Sequence, residues 1–213
     1  MNPNTKRSSA KALLDIGAIG FSPDAPITFK SGIQSPVYVD NRQLIYHPAA
    51  WHSIIKGFRA LIYARSLEYD IIAGVAVGGI PHSSALALTL KRPSVFIRKE
   101  SKGHGRSQRI EGGDVDKRRV LLVEDLVTTG GSSLSAVDAL RESGAHVTDA
   151  LAIVSYGFAE AASAFARAEL ALHTLTDIET LLELARERAV LNREQVAVIR
   201  SWMADPYAWS ATS

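Results

Sequence analysis

The 213-residue chain contains no cysteine. That removes disulfides, thiol nucleophiles and cysteine-ligated zinc, and leaves no sign of an oxidising compartment. Long hydrophobic runs are also missing. The longest, Ile71 to Ile80, is rich in glycine, stops at Pro81 and falls far short of the ~20 residues a membrane helix needs. Net charge is nearly absent, with 24 Lys and Arg against 22 Asp and Glu, so nothing global argues for a nucleic-acid or membrane partner. No internal repeat, low-complexity tract or interdomain linker is visible. Lys6, Arg7 and Lys11 precede a short apolar stretch, but Asp15 interrupts it, and a signal peptide is not expected. A chain with 46% apolar and 22% charged residues is expected to be soluble, cytoplasmic and folded as one domain over residues 1–213.

What is present is an alternating pattern. Residues 8–19 have helical apolar spacing, and short β-like runs follow at Ile27–Phe29 and Val37–Asp40. Pro48 suits the first turn of a helix reaching about Ser66. Then come a strand at Ile71–Val75, a helix at Pro81–Leu90, a strand at Ser94–Arg98 and a long polar loop over 99–113. A strand at Arg119–Val123, a helix at Ser132–Ser143 and a strand at Val147–Val154 continue the alternation. A helix over 159–167, a strand over 170–175 and two C-terminal helices complete it. Strands apolar throughout and alternating with helices predict an α/β fold whose central parallel sheet is flanked by helices on both faces. Ligands bind such sheets at the carboxyl ends of the strands. The first 45 residues or so precede the alternation and read as a small subdomain.

The most specific segment runs from Arg119 to Ser133. A buried strand leads to Glu124 and Asp125, then to Thr128-Thr129-Gly130-Gly131-Ser132, which opens a helix. Backbone N–H groups and hydroxyls at a helix start form a site for a phosphate monoester. Carboxylates accept hydrogen bonds from sugar hydroxyls but repel phosphate. Both within nine residues point to a ligand carrying a sugar diol and a phosphate. Other phosphate motifs fail: there is no Gly-x-x-x-x-Gly-Lys-Ser/Thr, and Gln108 stands where a dinucleotide fingerprint after Gly103-His104-Gly105 needs glycine. The loop Arg98-Lys99-Glu100-Ser101-Lys102-Gly103-His104-Gly105 concentrates cations between glycines, as a mobile lid over an anionic substrate would.

The string Glu124 to Ser132 resembles the phosphoribosyl-diphosphate (PRPP) motif of type I phosphoribosyltransferases. The resemblance implies that the acidic pair binds the ribose hydroxyls, that Thr128, Thr129, Gly130, Gly131 and Ser132 hold the 5-phosphate, and that Leu126 and Val127 also belong to the PRPP site. The lid is similar to that of the orotate phosphoribosyltransferases. By that match Arg98, Lys99, Lys102 and His104 bind PRPP, with Lys102, His104 and Asp125 as catalytic residues. The loop reaching a neighbouring subunit's site implies a homodimer. Val77-Gly78-Gly79 resembles the family's pyrophosphate loop, beside which His82 reads as structural. Lys30-Ser31-Gly32 through Asp40-Asn41-Arg42 resembles the hood over the orotate ring, with Lys30 and Thr128 contacting that base.

The resemblance runs from about residue 10 to Trp209, and its motifs keep family order. It implies PRPP and orotate as substrates, with Mg²⁺ held mainly through PRPP and no direct protein ligand. One departure stands out: Ser155-Tyr156-Gly157 follows the strand ending at Val154, where many members place an arginine for the orotate carboxylate. Thr128, backbone N–H groups or Lys30 must then hold that carboxylate. Two other readings share the PRPP string, a transferase for another base and a nucleotide-sensing regulator that kept the fold. The hood argues against the first, and near-neutral charge with an intact lid against the second.

Overall fold

The structure, a computed structural model, describes residues 3–28, 34–100 and 109–209. Helix α1 (Pro3–Asp15) leads into β1 (Ile19–Phe21), β2 (Ile27–Thr28), β3 (Gln34–Ser35) and β4 (Val37–Val39), then a 3-10 helix at Asn41–Tyr46. Helix α2 (Pro48–Arg65), with proline in its first turn, begins the main domain. The order continues β5 (Ile71–Val75), α3 (Gly79–Leu90), β6 (Ser94–Ile97), β7 (Ile110–Glu111) and β8 (Val120–Val127). The chain then forms α4 (Gly131–Glu142), β9 (Asp149–Ser155), α5 (Ala159–Arg167), β10 (Ala171–Asp177), α6 (Ile178–Glu187) and α7 (Arg193–Ala204).

Six strands form one sheet in the order β10-β9-β8-β5-β6-β7. The first five pair in parallel, and β7 closes the edge antiparallel to β6. Two hydrophobic layers cover the sheet. Leu121 and Val123 join one, built largely from α1, α2, α3, α6 and α7. Val120 and Leu122 face the other, under α4 and α5. The central strands β5, β8 and β9 are therefore apolar on both faces over most of their length.

Several boundaries differ from the sequence expectation. Helix α1 stops at Asp15 rather than continuing to residue 19. Gly17 takes a left-handed turn (φ 70), and the Ala18 N–H returns to the Leu13 carbonyl at 3.0 Å. Ile19 is then free to pair with Val39. Part of the expected 99–113 loop is the short strand β7. Strand β8 extends four residues past Val123 because β9 keeps pairing with it (Leu126 with Val154, Val127 with Ser155) after β5 has ended its pairing at Val123.

That mismatch positions the site. Strand β5 connects outward to β6, and β8 connects the opposite way to β9. Neighbouring strands whose connections diverge leave a crevice at their carboxyl ends, where open α/β sheets bind ligands.

Candidate active site

Both acids lie on the part of β8 that has lost β5 as a neighbour. The pleat sends consecutive side chains to opposite faces, and the contacts follow it. Glu124 turns toward α4, where Ser133 Oγ donates to its Oε2 at 3.3 Å and the Asp125 N–H to its Oε1 at 3.2 Å. Glu124 is buried, and its pKa is pushed well up by desolvation and then by the adjacent Asp125 charge. Asp125 turns toward α3 and remains half-buried. The structure therefore brings the pair together along the chain but presents Asp125 as the more accessible acid.

Opposite Asp125 stands the turn after β5. A Cβ on Gly78 would overlap the Asp125 carboxylate, which would have to turn aside to admit one; with glycine the two are in close contact. The Ala76–Val77 peptide is cis, and Val77 is exposed at the tip. The sequence-derived pyrophosphate loop and acidic pair thus form two walls of one crevice.

Beyond β8, Thr128 and Thr129 are half-buried and lead to Gly130, which caps α4 in a left-handed conformation (φ 88). A Cβ there would lie 2.6 Å from the Phe165 ring. No side chain caps this terminus, and its first turn holds no acid. Its unpaired N–H groups and positive dipole end suit a phosphate. Leu126 and Val127 lie on β8 itself, while Gly131 and Ser132 are exposed in the first turn of α4.

Arg98 lies just past β6, with its guanidinium 3.5 Å from Glu111 Oε1, and Lys99 is exposed beside it. Arg109 donates from Nε to the Arg98 carbonyl at 2.8 Å and reaches Ser135 Oγ at 3.1 Å, tying the chain just before β7 to α4. Lys30, Lys102 and His104 lie outside the described residues.

The N-terminal segment is bound to the same crevice. Buried Asn41 donates from Nδ2 to the Asp125 carbonyl at 2.7 Å. Tyr156, which stands near the missing arginine, is buried and stacked on Phe158, and its hydroxyl donates to the Val37 carbonyl at 3.2 Å. It packs in the core and reaches the backbone of β4. His82 is buried on α3, and Trp51 Nε1 donates to its Nδ1 at 3.0 Å. Sequence reading singled out none of these three links. Asn41 had a signal in its Asp-Asn-Arg neighbourhood, whereas Trp51 had none.

Among the described residues no cluster of three or more His, Asp or Glu side chains could cage a metal. With one acid buried, the donor set fits a cation that arrives already coordinated by its ligand.

The phosphoribosyl transferase domain family matches residues 49–164. An orotate phosphoribosyltransferase of Halalkalibacterium halodurans is 40% identical over 205 residues, covering 96% of this chain and 98% of that one. The crystal structure of orotate phosphoribosyltransferase from Aeropyrum pernix superposes with a TM-score of 0.73 at 31% identity, over 86% of this chain and 99% of that one. Leishmania donovani UMP synthase gives a TM-score of 0.80 at 26% identity, over 93% of this chain and 42% of that longer one. With the acidic strand end, the glycine turn and the open helix start meeting at the point where the sheet reverses direction, the chain belongs to the orotate phosphoribosyltransferase family.

Proposed function

We propose that the crevice between β5 and β8 takes PRPP and that orotate adds to it beneath the N-terminal hood. The activity is orotate phosphoribosyltransfer in pyrimidine biosynthesis: orotate and PRPP give orotidine 5′-phosphate and pyrophosphate. The observation that carries the assignment of parts is the contact of Gly78 with Asp125 beside the uncapped start of α4. It supports a single ligand whose diphosphate, diol and 5-phosphate lie in that order across the sheet end.

In this reading Asp125 accepts from the ribose hydroxyls. Glu124, its pKa raised by burial and by the neighbouring Asp125 charge, lies beside it with both carboxyl oxygens held by the Asp125 N–H and Ser133. Thr128 to Ser132 and the α4 N-terminus hold the 5-phosphate, and Val77 to Gly79 offer backbone N–H groups to the diphosphate. The bond from the anomeric carbon to pyrophosphate breaks as a ring nitrogen of orotate adds, so positioning and charge neutralisation supply the catalysis. Arg98, Lys99, Lys102 and His104 belong to the lid that neutralises the leaving diphosphate, Lys102 and His104 being the catalytic pair. Lys30 and Thr128 hold orotate. Mg²⁺, with no protein ligand assigned to it, would be carried in on the diphosphate and would supply charge withdrawal from the leaving group.

The working unit is a homodimer in the cytoplasm, with each lid serving its neighbour's site. The exposed apolar side chains of Tyr46, Val77 and Leu88 are of the kind an interface covers. The chain's described helices include none long and apolar enough to cross a membrane.

The test follows orotate absorbance on adding PRPP and Mg²⁺, and repeats it with Asp125→Asn. The substitution is expected to lower kcat/KM for PRPP by about 10²-fold. Wild-type kinetics in that variant would remove Asp125 from the sugar site. Consumption of another base in place of orotate would move the hood assignment and leave the sugar site standing.

A further inference from the structure

His82 has no part in the reaction outlined above, yet its surroundings are unlike those of a packing residue. It is fully buried. Trp51 Nε1–H donates to Nδ1 at 3.0 Å. A nitrogen that accepts cannot carry the proton, so in the neutral ring the proton sits on Nε2. That Nε2 is buried and has no hydrogen-bond partner. An unanswered buried donor costs stability, and an apolar side chain of the same volume would avoid the cost.

The helix geometry shows where the unused N–H is directed. Gly78 is the N-cap of α3, and His82 follows it by four residues, so the two share one face of the first turn. Side chains on a helix lean toward its N-terminus, which is the direction in which Gly78 lies from His82. Gly78 in turn is the residue whose missing Cβ admits the Asp125 carboxylate. Asp125 is also the charge that acts on the imidazole, opposing its desolvation. From the other side Asn41 grips the Asp125 carbonyl with Nδ2, while its own Oδ1 is buried without a partner.

We infer that His82 is a positioning residue for Asp125: Trp51 fixes its tautomer so that Nε2–H is kept for the aspartate when the carboxylate takes up the ribose hydroxyls of PRPP. No proton is transferred. The ring supplies a neutral donor that orients the carboxylate without cancelling its charge, which a lysine or arginine at the same place would do. The inference rests on Asp125 serving the sugar, as proposed above.

The decisive comparison is His82→Asn with His82→Leu, each measured for orotate KM, PRPP KM, kcat and thermal midpoint. Asparagine retains an acceptor near Nδ1 for Trp51 but does not reach the position of Nε2. If Nε2–H orients Asp125, both variants raise the PRPP KM about five- to tenfold with the orotate KM unchanged. If His82 only anchors Trp51, the asparagine variant has wild-type kinetics and the leucine variant is less stable, and the inference fails. Trp51→Phe provides a second route should the His82 variants not fold. Releasing the tautomer is expected to raise the PRPP KM in the same direction by a smaller factor, and no rise overturns the inference. Asp125→Asn run alongside separates the two levels. If it impairs PRPP use while the His82 and Trp51 variants do not, the positioning role alone is lost. If it leaves PRPP use intact, the sugar-site assignment is the part that falls.

Discussion

Replacing His82 by leucine should change how the protein's stability responds to acid. Burial holds the His82 pKa down to about 4, from 6.5 for the free side chain. The unfolded chain therefore binds a proton at this residue between those two values and the folded chain does not. Stability attributable to the neutral ring is fully present above pH 6.5, declines as pH falls, and levels off below about 4. At about 1.4 kcal/mol per pH unit the decline amounts to roughly 3 kcal/mol, a large part of a typical domain's total. Urea unfolding at several pH values from 7.5 to 4, for wild type and His82→Leu, measures it. The difference in unfolding free energy between the two should shift by about 3 kcal/mol in favour of leucine across that range. Asp15, Asp70 and Asp177 have lowered pKa values, and their protonation affects both proteins alike. Parallel pH profiles would refute the argument, because they would mean that His82 takes up its proton in the folded state as easily as in the unfolded one.

Gly130→Ala should destabilise the fold by about 1–3 kcal/mol, since the new Cβ meets both a left-handed backbone and the Phe165 ring; thermal unfolding would detect it, and an unchanged midpoint would show that Phe165 gives way. Tyr156→Phe removes the hydroxyl that reaches the Val37 carbonyl and is expected to cost about 1 kcal/mol while raising the orotate KM, an effect read from saturation curves in each substrate separately. Lys102→Ala is expected to cut turnover at least about tenfold with a modest loss of PRPP affinity, and unchanged steady-state turnover would take the lid out of the mechanism.

The sheet was readable because burial on both faces leaves continuous apolar strands. Ile71–Val75 and the helix at 159–167 have the bounds their residues announce. The candidate phosphate-binding stretch stood out for a related reason: glycine, hydroxyl and carboxylate residues fall within one short span. What escaped depends on contacts across distance. Asn41 meets the Asp125 carbonyl 84 residues away, and Trp51 meets His82 across 31. No local pattern encodes either meeting. The length of β8 is set by its partner β9, so its own residues did not mark where it would end. The two residues of β7 offer too little periodicity to register, and their pairing is determined by β6.

Because the pleat turns successive carboxylates outward in opposite directions, each helical layer has its own hold on the reaction centre. A defect seated beneath α4 reaches Glu124 through Ser133, whereas one beneath α3 reaches Asp125 through the glycine turn. Neither layer can compensate for the other, since both act on the same stiff strand. If the acidic pair holds the sugar as proposed, a substitution at Ser133 or at Gly78 is expected to register as altered affinity for PRPP.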